Sequence, residues 1–144
     1  MDVTELARKL RPVFDLYPEL AVVYLFGSAA RGEERSDSDI DLGLVFRGRG
    51  ETALHHHRML GDLGSRLEGP LEGRRVDLVV LEGQGPIFCL RVLCEAKLLY
   101  EGDPERRVDF ESDTCVRALD FRPTYEIAAR EHLNGVRRRL KSQR

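Results

Sequence analysis

The sequence has no tryptophan, few aromatic residues of any kind (7%), and only three cysteines in 144 residues. Cys89, Cys94 and Cys115 are odd in number and contain no Cys-x-x-Cys pair. They indicate neither a disulfide framework nor a zinc site, and buried or half-buried thiols in a reducing cytosol are expected. An excess of one charge is also missing. The 23 Lys and Arg stand against 25 Asp and Glu, a formal net charge of −2. That balance gives no overall pull toward nucleic acid or an anionic membrane. The apolar run Ala21–Phe26 is far shorter than the ~20 residues of a membrane-spanning helix. Asp2, Glu5, Arg8, Lys9 and Arg11 break up the N-terminus, so no secretory signal is read there. With no repeat, linker or low-complexity segment, the length is that of one domain over residues 1–144, in the cytoplasm.

What is present centres on Phe26-Gly27-Ser28-Ala29-Ala30-Arg31-Gly32, continued by Ser38-Asp39-Ile40-Asp41-Leu42. A strand-type run, Ala21–Phe26, leads into it. Glycine lets backbone approach a phosphate closely, and the amides that follow can cradle an anion where a helix begins. The Ser28 hydroxyl adds a donor. With ten residues between them and Ser28, Asp39 and Asp41 head a second apolar run. On a strand, residues i and i+2 share a face, so the two carboxylates converge. Converging carboxylates repel unless a cation lies between them, and Mg²⁺ suits a phosphate-bearing substrate. Asp77 is the one acid inside the apolar run Val76–Leu81. An unpaired charge is costly there, unless it pairs with Arg74 or Arg75 or joins Asp39 and Asp41 on a neighbouring strand.

Gly27-Ser28, ten residues, then Asp39-x-Asp41 resembles the signature of the DNA-polymerase-β-type nucleotidyltransferases. The fuller string over residues 21–46 resembles their small minimal nucleotidyltransferase branch, many of which are antitoxins of HEPN/MNT toxin–antitoxin pairs. The resemblance implies a nucleotidyltransferase fold, a small mixed α/β (α+β) sheet flanked by helices. It also implies a two-ion Mg²⁺ site on Asp39, Asp41 and Asp77, with Asp77 nearer the nucleophile, and ATP as substrate. Gly27 and Ser28 would hold the terminal phosphates. Arg31 would neutralise them bidentately, or else balance Glu33 or Glu34 as a surface arginine.

Along the chain, Thr4 is a candidate cap for a first helix carrying Leu6, Leu10, Val13 and Phe14 at helical spacing. Strands are expected at Ala21–Phe26, about Asp39–Phe46, Arg75–Leu81 and Lys97–Tyr100. In the second of these, Ile40, Leu42, Leu44 and Phe46 share one face, and Asp39, Asp41, Gly43 and Val45 the other. Helices are expected at about Glu51–Glu68, with Leu54, Met59, Leu63 and Leu67 inward, then Ile87–Ala96, Glu105–Asp120 and Thr124 toward Leu140. The core then lies over about 20–100, with a helical C-terminal region over about 104–140. Strands alternating with helices suit an α/β or α+β sheet, with hairpin-type pairing of the first two strands.

Two clusters stand outside this motif. Three consecutive histidines on a helix, His55-His56-His57, point about 100° apart and cannot all bind one ion, so solvated or half-buried side chains are expected. Arg137-Arg138-Arg139, Lys141 and Arg144 read as a solvated basic helix end, with a docking or RNA-contacting surface as the alternative. No aromatic–basic stacking module is visible, and direct nucleic-acid binding is not expected. Three functions remain open. One is AMP transfer from ATP to a tyrosine of a cognate HEPN ribonuclease toxin, as the resemblance implies. The second is nucleotide transfer to a small molecule of aminoglycoside type, which needs an acidic acceptor pocket. The third is a purely steric antitoxin with a vestigial site.

Overall fold

The computed structural model describes residues 2–33, 35, 37–120 and 133–140. Helix α1 (Val3–Phe14) is capped by Asp2, whose carboxylate accepts from the Thr4 amide at 2.9 Å and the Glu5 amide at 3.4 Å. Asp2, not Thr4, takes the cap because its charged oxygen reaches two otherwise unpaired amides at the positive helix end. Leu6, Leu10 and Phe14 form the buried stripe of this helix.

Four strands follow: β1 (Leu20–Phe26), β2 (Ile40–Phe46), β3 (Val76–Val80) and β4 (Lys97–Glu101). They form one sheet in the order β3-β2-β1-β4. β1 runs antiparallel to β2 and β4, while β2 and β3 are parallel. The architecture is the expected mixed sheet with flanking helices, and β1 and β2 are antiparallel neighbours.

Side-chain alternation divides the core in two. Ile40, Leu42, Leu44 and Phe46 join Leu20, Val23 and Leu25 under α1 and α3 (His57–Leu67). Leu42 and Leu44 are fully buried, and each burial contributes about 1.5–3 kcal/mol. The other face carries Val22, Tyr24 and Val45 against Leu90 and Leu93 of α4 (Pro86–Glu95) and Phe110 of α5 (Pro104–Asp120). A register shift between Leu20 and Val22 turns both Ala21 and Val22 to this second face. Residues 133–140 are helical and add Val136 to it. Among the described residues no helix is long and apolar enough to cross a membrane.

Three expectations need correction. First, α3 starts at His57, not near Glu51. Local bonds hold the preceding segment in turns: the Thr52 amide donates to His55 Nδ1 at 3.1 Å, and the His55 and His56 amides reach the Thr52 and Ala53 carbonyls. Leu54, expected on the inner side, is therefore 86% exposed. Second, the histidines do not share one helix. His56 stacks on Phe46 with ring centroids 3.9 Å apart and binds Glu51 through Nε2 at 2.8 Å. Third, Arg139 is no solvated helix end: Nη1 donates to the Leu93 and Ala96 carbonyls, each at 2.8 Å, and ties residues 133–140 to the end of α4. Arg137 and Arg138 are exposed, as expected. The expected helix from Thr124 lies outside the described residues as far as 132, and so do Lys141 and Arg144.

Candidate active site

The signature residues meet at one end of the sheet. β1 ends at Phe26, and Gly27 opens a single turn of helix, α2 (Gly27–Ala30). Phe26 pairs across the strands with Asp41, and Asp41 pairs in register with Asp77 of β3. Asp41 and Asp77 therefore stand side by side on the second face of the sheet. Asp39 lies exposed just before β2.

Gly27 has two reasons to be glycine. Its φ of +71° is a left-handed conformation, and a Cβ there would lie 2.2 Å from Asp41 Oδ2. The glycine thus clears space for the carboxylate as well as letting the chain turn into α2. Gly43, two residues further along β2, lets Leu81 cross the strand, since its Cβ would lie 2.9 Å from Leu81 Cδ1.

Asp41 is half-buried, and its carboxyl is held above the usual carboxylate range. Burial is the main cause, followed by the charges of Asp77 and Asp39, with Glu95 adding to them and Arg31 opposing. Among the described residues no ion pair reaches any of the three aspartates. Arg74 makes no pair with Asp77. Its Nη2 donates to the Arg35 carbonyl at 3.1 Å and to the Ser38 carbonyl at 3.0 Å, clamping the loop that presents Asp39. Its Nε is buried without a partner. Asp77 is exposed on an edge strand, so the burial cost argued from its apolar neighbours does not arise.

Hard oxygen donors whose like charges bear on the half-buried Asp41 fit a divalent cation. They are not yet gathered around a point: among the described residues no three His, Cys, Asp or Glu side chains are placed to hold an ion. Asp39 and Asp77 are exposed, which leaves their side chains free to turn toward Asp41.

Ser28 is half-buried on α2, and the first amides of any helix lack intrahelical partners. Arg31 follows at the C-terminal end of this turn. Its Nε donates to Glu33 and its Nη1 to Glu95 of α4, both at 3.1 Å. Glu34, its other candidate partner, lies outside the described residues. Sequence reasoning did not single out Glu95 or the clamp by Arg74. Both depend on contacts 64 and 39 residues apart in the chain, and no local pattern marks them. An aromatic pair, Phe26 and Phe88, edges the site with ring centroids 6.3 Å apart.

The likeness to known proteins falls on this same region. Residues 8–105 match the family described as polymerase beta, nucleotidyltransferase. The protein adenylyltransferase MntA of Shewanella oneidensis is 31% identical over 86 residues, 60% of this chain. The match spans 58% of that relative's length. A protein of Methanocaldococcus jannaschii, provisionally named a protein adenylyltransferase, is 33% identical over 96 residues, 67% of this chain and 96% of its own. A chain from a crystal structure of a toxin–antitoxin with AMP-PNP superposes with a TM-score of 0.58 at 23% identity, covering 99% of this chain and 98% of that one. This last likeness is one of fold. A matched segment that takes in all four strands, and carries the Gly-Ser turn with the paired aspartates, places the chain in the polymerase beta nucleotidyltransferase family.

Proposed function

We propose that the protein is a metal-dependent nucleotidyltransferase that moves AMP from ATP onto a tyrosine of a cognate HEPN ribonuclease toxin, and that it acts as the antitoxin by doing so. The observation that carries the chemistry is the in-register pair Asp41–Asp77 beside Gly27. Like charges side by side on neighbouring strands destabilise a sheet, so the pair has no structural use there. The acceptor is argued from the relatives, one named a protein adenylyltransferase and another a chain of a toxin–antitoxin structure.

In this reading Asp39, Asp41 and Asp77 hold two Mg²⁺ ions. The ions supply charge for the triphosphate and lower the pKa of the attacking hydroxyl. Gly27 and Ser28 receive the terminal phosphates, with the Ser28 hydroxyl and the first amides of α2 as donors. Arg31 adds a bidentate cation to the same phosphates. Asp77, the more exposed of the paired acids, accepts the proton of the tyrosine hydroxyl. The tyrosine oxygen bonds to the α-phosphorus, the bond from that phosphorus to the α–β bridging oxygen breaks, and pyrophosphate leaves. The protein contributes mainly position and charge. The transferred phosphate leaves an anion on the toxin, which silences it.

The test is transfer from ATP labelled at the α-phosphate into a lysate of the source organism, with Mg²⁺ and an Asp39→Asn/Asp41→Asn control. A discrete protein labelled by the wild type alone, with AMP found on a tyrosine by mass spectrometry, is the expected result. Absence of any labelled protein, with label in a small molecule instead, contradicts the protein acceptor. Full neutralisation of a toxin by the double variant contradicts a catalytic antitoxin.

A further inference from the structure

Among the described residues Arg31 is the cation that bears most on Asp41, where it opposes Asp77, Asp39 and Glu95. Where its charge is directed therefore sets how anionic the mouth of the site is. Two carboxylates hold it, Glu33 on Nε and Glu95 on Nη1. They are not equal holders. Glu33 lies two residues along the same loop, and its side chain is 64% exposed. Glu95 sits on the ten-residue helix α4, with its side chain 34% exposed, and reaches Arg31 from the far side of the α2–α4 gap. The better-ordered carboxylate loses less side-chain freedom by pairing and is the stronger competitor for the guanidinium.

We propose that Glu95 is a positioning residue that acts through Arg31; this rests on the reading of Arg31 as a phosphate ligand. In the nucleotide-free protein Glu95 holds the guanidinium across the gap. The triphosphate, with more charge and a bidentate geometry, takes the guanidinium from it. When pyrophosphate leaves, Glu95 recaptures Arg31, and the competition favours release. Glu95 thus lowers the affinity for nucleotide and for pyrophosphate through Arg31, apart from the charge it adds near Asp41.

A double-mutant cycle tests this without an acceptor. A non-transferable α,β-methylene ATP is titrated calorimetrically with Mg²⁺ into wild type, Glu95→Gln, Arg31→Gln and the double variant. Glu95→Gln is expected to bind about threefold to fivefold tighter, the scale of a partly exposed ion pair. Arg31→Gln is expected to bind about tenfold weaker, the scale of lost hydrogen bonds to a charged group. In the Arg31→Gln background the Glu95 substitution is expected to change affinity by less than about twofold, since uncoupled sites add and coupled ones do not. Glu33→Gln should give a smaller gain than Glu95→Gln. Glu95→Ala serves as a second variant and should show the same gain. An equal gain from Glu95→Gln in both backgrounds overturns the proposal, because Glu95 then acts as a local charge. Unchanged or weaker binding by Glu95→Gln overturns it too. Wild-type affinity in Arg31→Gln is a different failure: it removes the phosphate-ligand reading of Arg31, and this proposal with it.

Discussion

Around α5, every buried or half-buried carboxylate among the described residues has a partner. Glu111 is 3% exposed, accepts from the Tyr24 hydroxyl at 2.8 Å and lies 3.4 Å from Arg107. Arg107 also binds Glu101, and the buried Arg106 binds both Glu82 and the Phe46 carbonyl. At the other end of the same sheet Asp41 is half-buried too, yet its close electrostatic neighbours include two further aspartates, and no ion pair reaches it among the described residues. The first group meets the usual requirement of a folded interior, that buried charges be paired. The second does not meet it. In the proposed function the partner that stabilises these like charges is a metal ion from outside the chain.

Neutralising one acid in each group should therefore have opposite effects. Asp41→Asn should reduce transfer by on the order of 10²–10³ or more, the scale set by losing one preorganised electrostatic contact. Its thermal stability should be unchanged or raised, by no more than about 1 kcal/mol. Glu111→Ala should do the reverse. It leaves Arg107 and the Tyr24 hydroxyl short of a partner and should cost about 3 kcal/mol. The nucleotide affinity of the fraction that remains folded should not change. Denaturant unfolding and labelled transfer, run on both variants, check this pair. Loss of stability in Asp41→Asn would end the contrast.

Gly27→Ala sharpens the same comparison from the backbone. The added Cβ meets the Asp41 carboxylate and also sits at a left-handed φ. About 1–2 kcal/mol of stability should go, with transfer lowered at least tenfold as Asp41 is displaced. Arg74→Ala should act on Asp39 alone. It frees the Arg35 and Ser38 carbonyls from their clamp. The expected cost is about 1–2 kcal/mol, read as a weaker Mg²⁺ dependence with little change in ATP affinity.

The smallest effect concerns pH. Burial holds Glu111 above its ordinary value of 4.5, and this outweighs its bonds to Tyr24 and Arg107. A carboxyl raised in the fold binds its proton more tightly folded than unfolded. Its contribution is fully present below 4.5 and is lost as pH rises through the higher folded value. Glu111→Gln should flatten that decline in stability above pH 4.5. An unaltered pH profile would show that the bonds to Arg107 and Tyr24 cancel the effect of burial, and a steeper decline that they outweigh it.

Much of this layout was legible in the sequence because it rests on local pattern. Alternation in Ile40–Phe46 assigned each side chain to its core, and the Gly27–Ser28 break after an apolar run located the end of β1. The apolar run around Asp77 implies a burial that Asp77 does not have, while its expected place beside Asp41 is where it lies. It stands beside Asp41 because β2 and β3 pair in parallel with those residues in register, and a sequence pattern does not state register. Propensity alone extends α3 back toward Glu51, but Thr52 and His55 satisfy each other locally and compete with the helix there. The tertiary partners Arg74, Glu95 and Arg139 were hidden for one reason: each acts on a segment far along the chain.

In the proposed function the unpaired acids at the Gly27 end take a metal ion that the paired acids near α5 do not need. Mn²⁺ titration read by electron paramagnetic resonance, with a non-transferable ATP analogue present, tests it directly on wild type, Asp41→Asn and Glu111→Gln. Roughly two bound ions per chain are expected in wild type and in Glu111→Gln, and loss of binding in Asp41→Asn. Equal Mn²⁺ binding by wild type and a folded Asp41→Asn would contradict it.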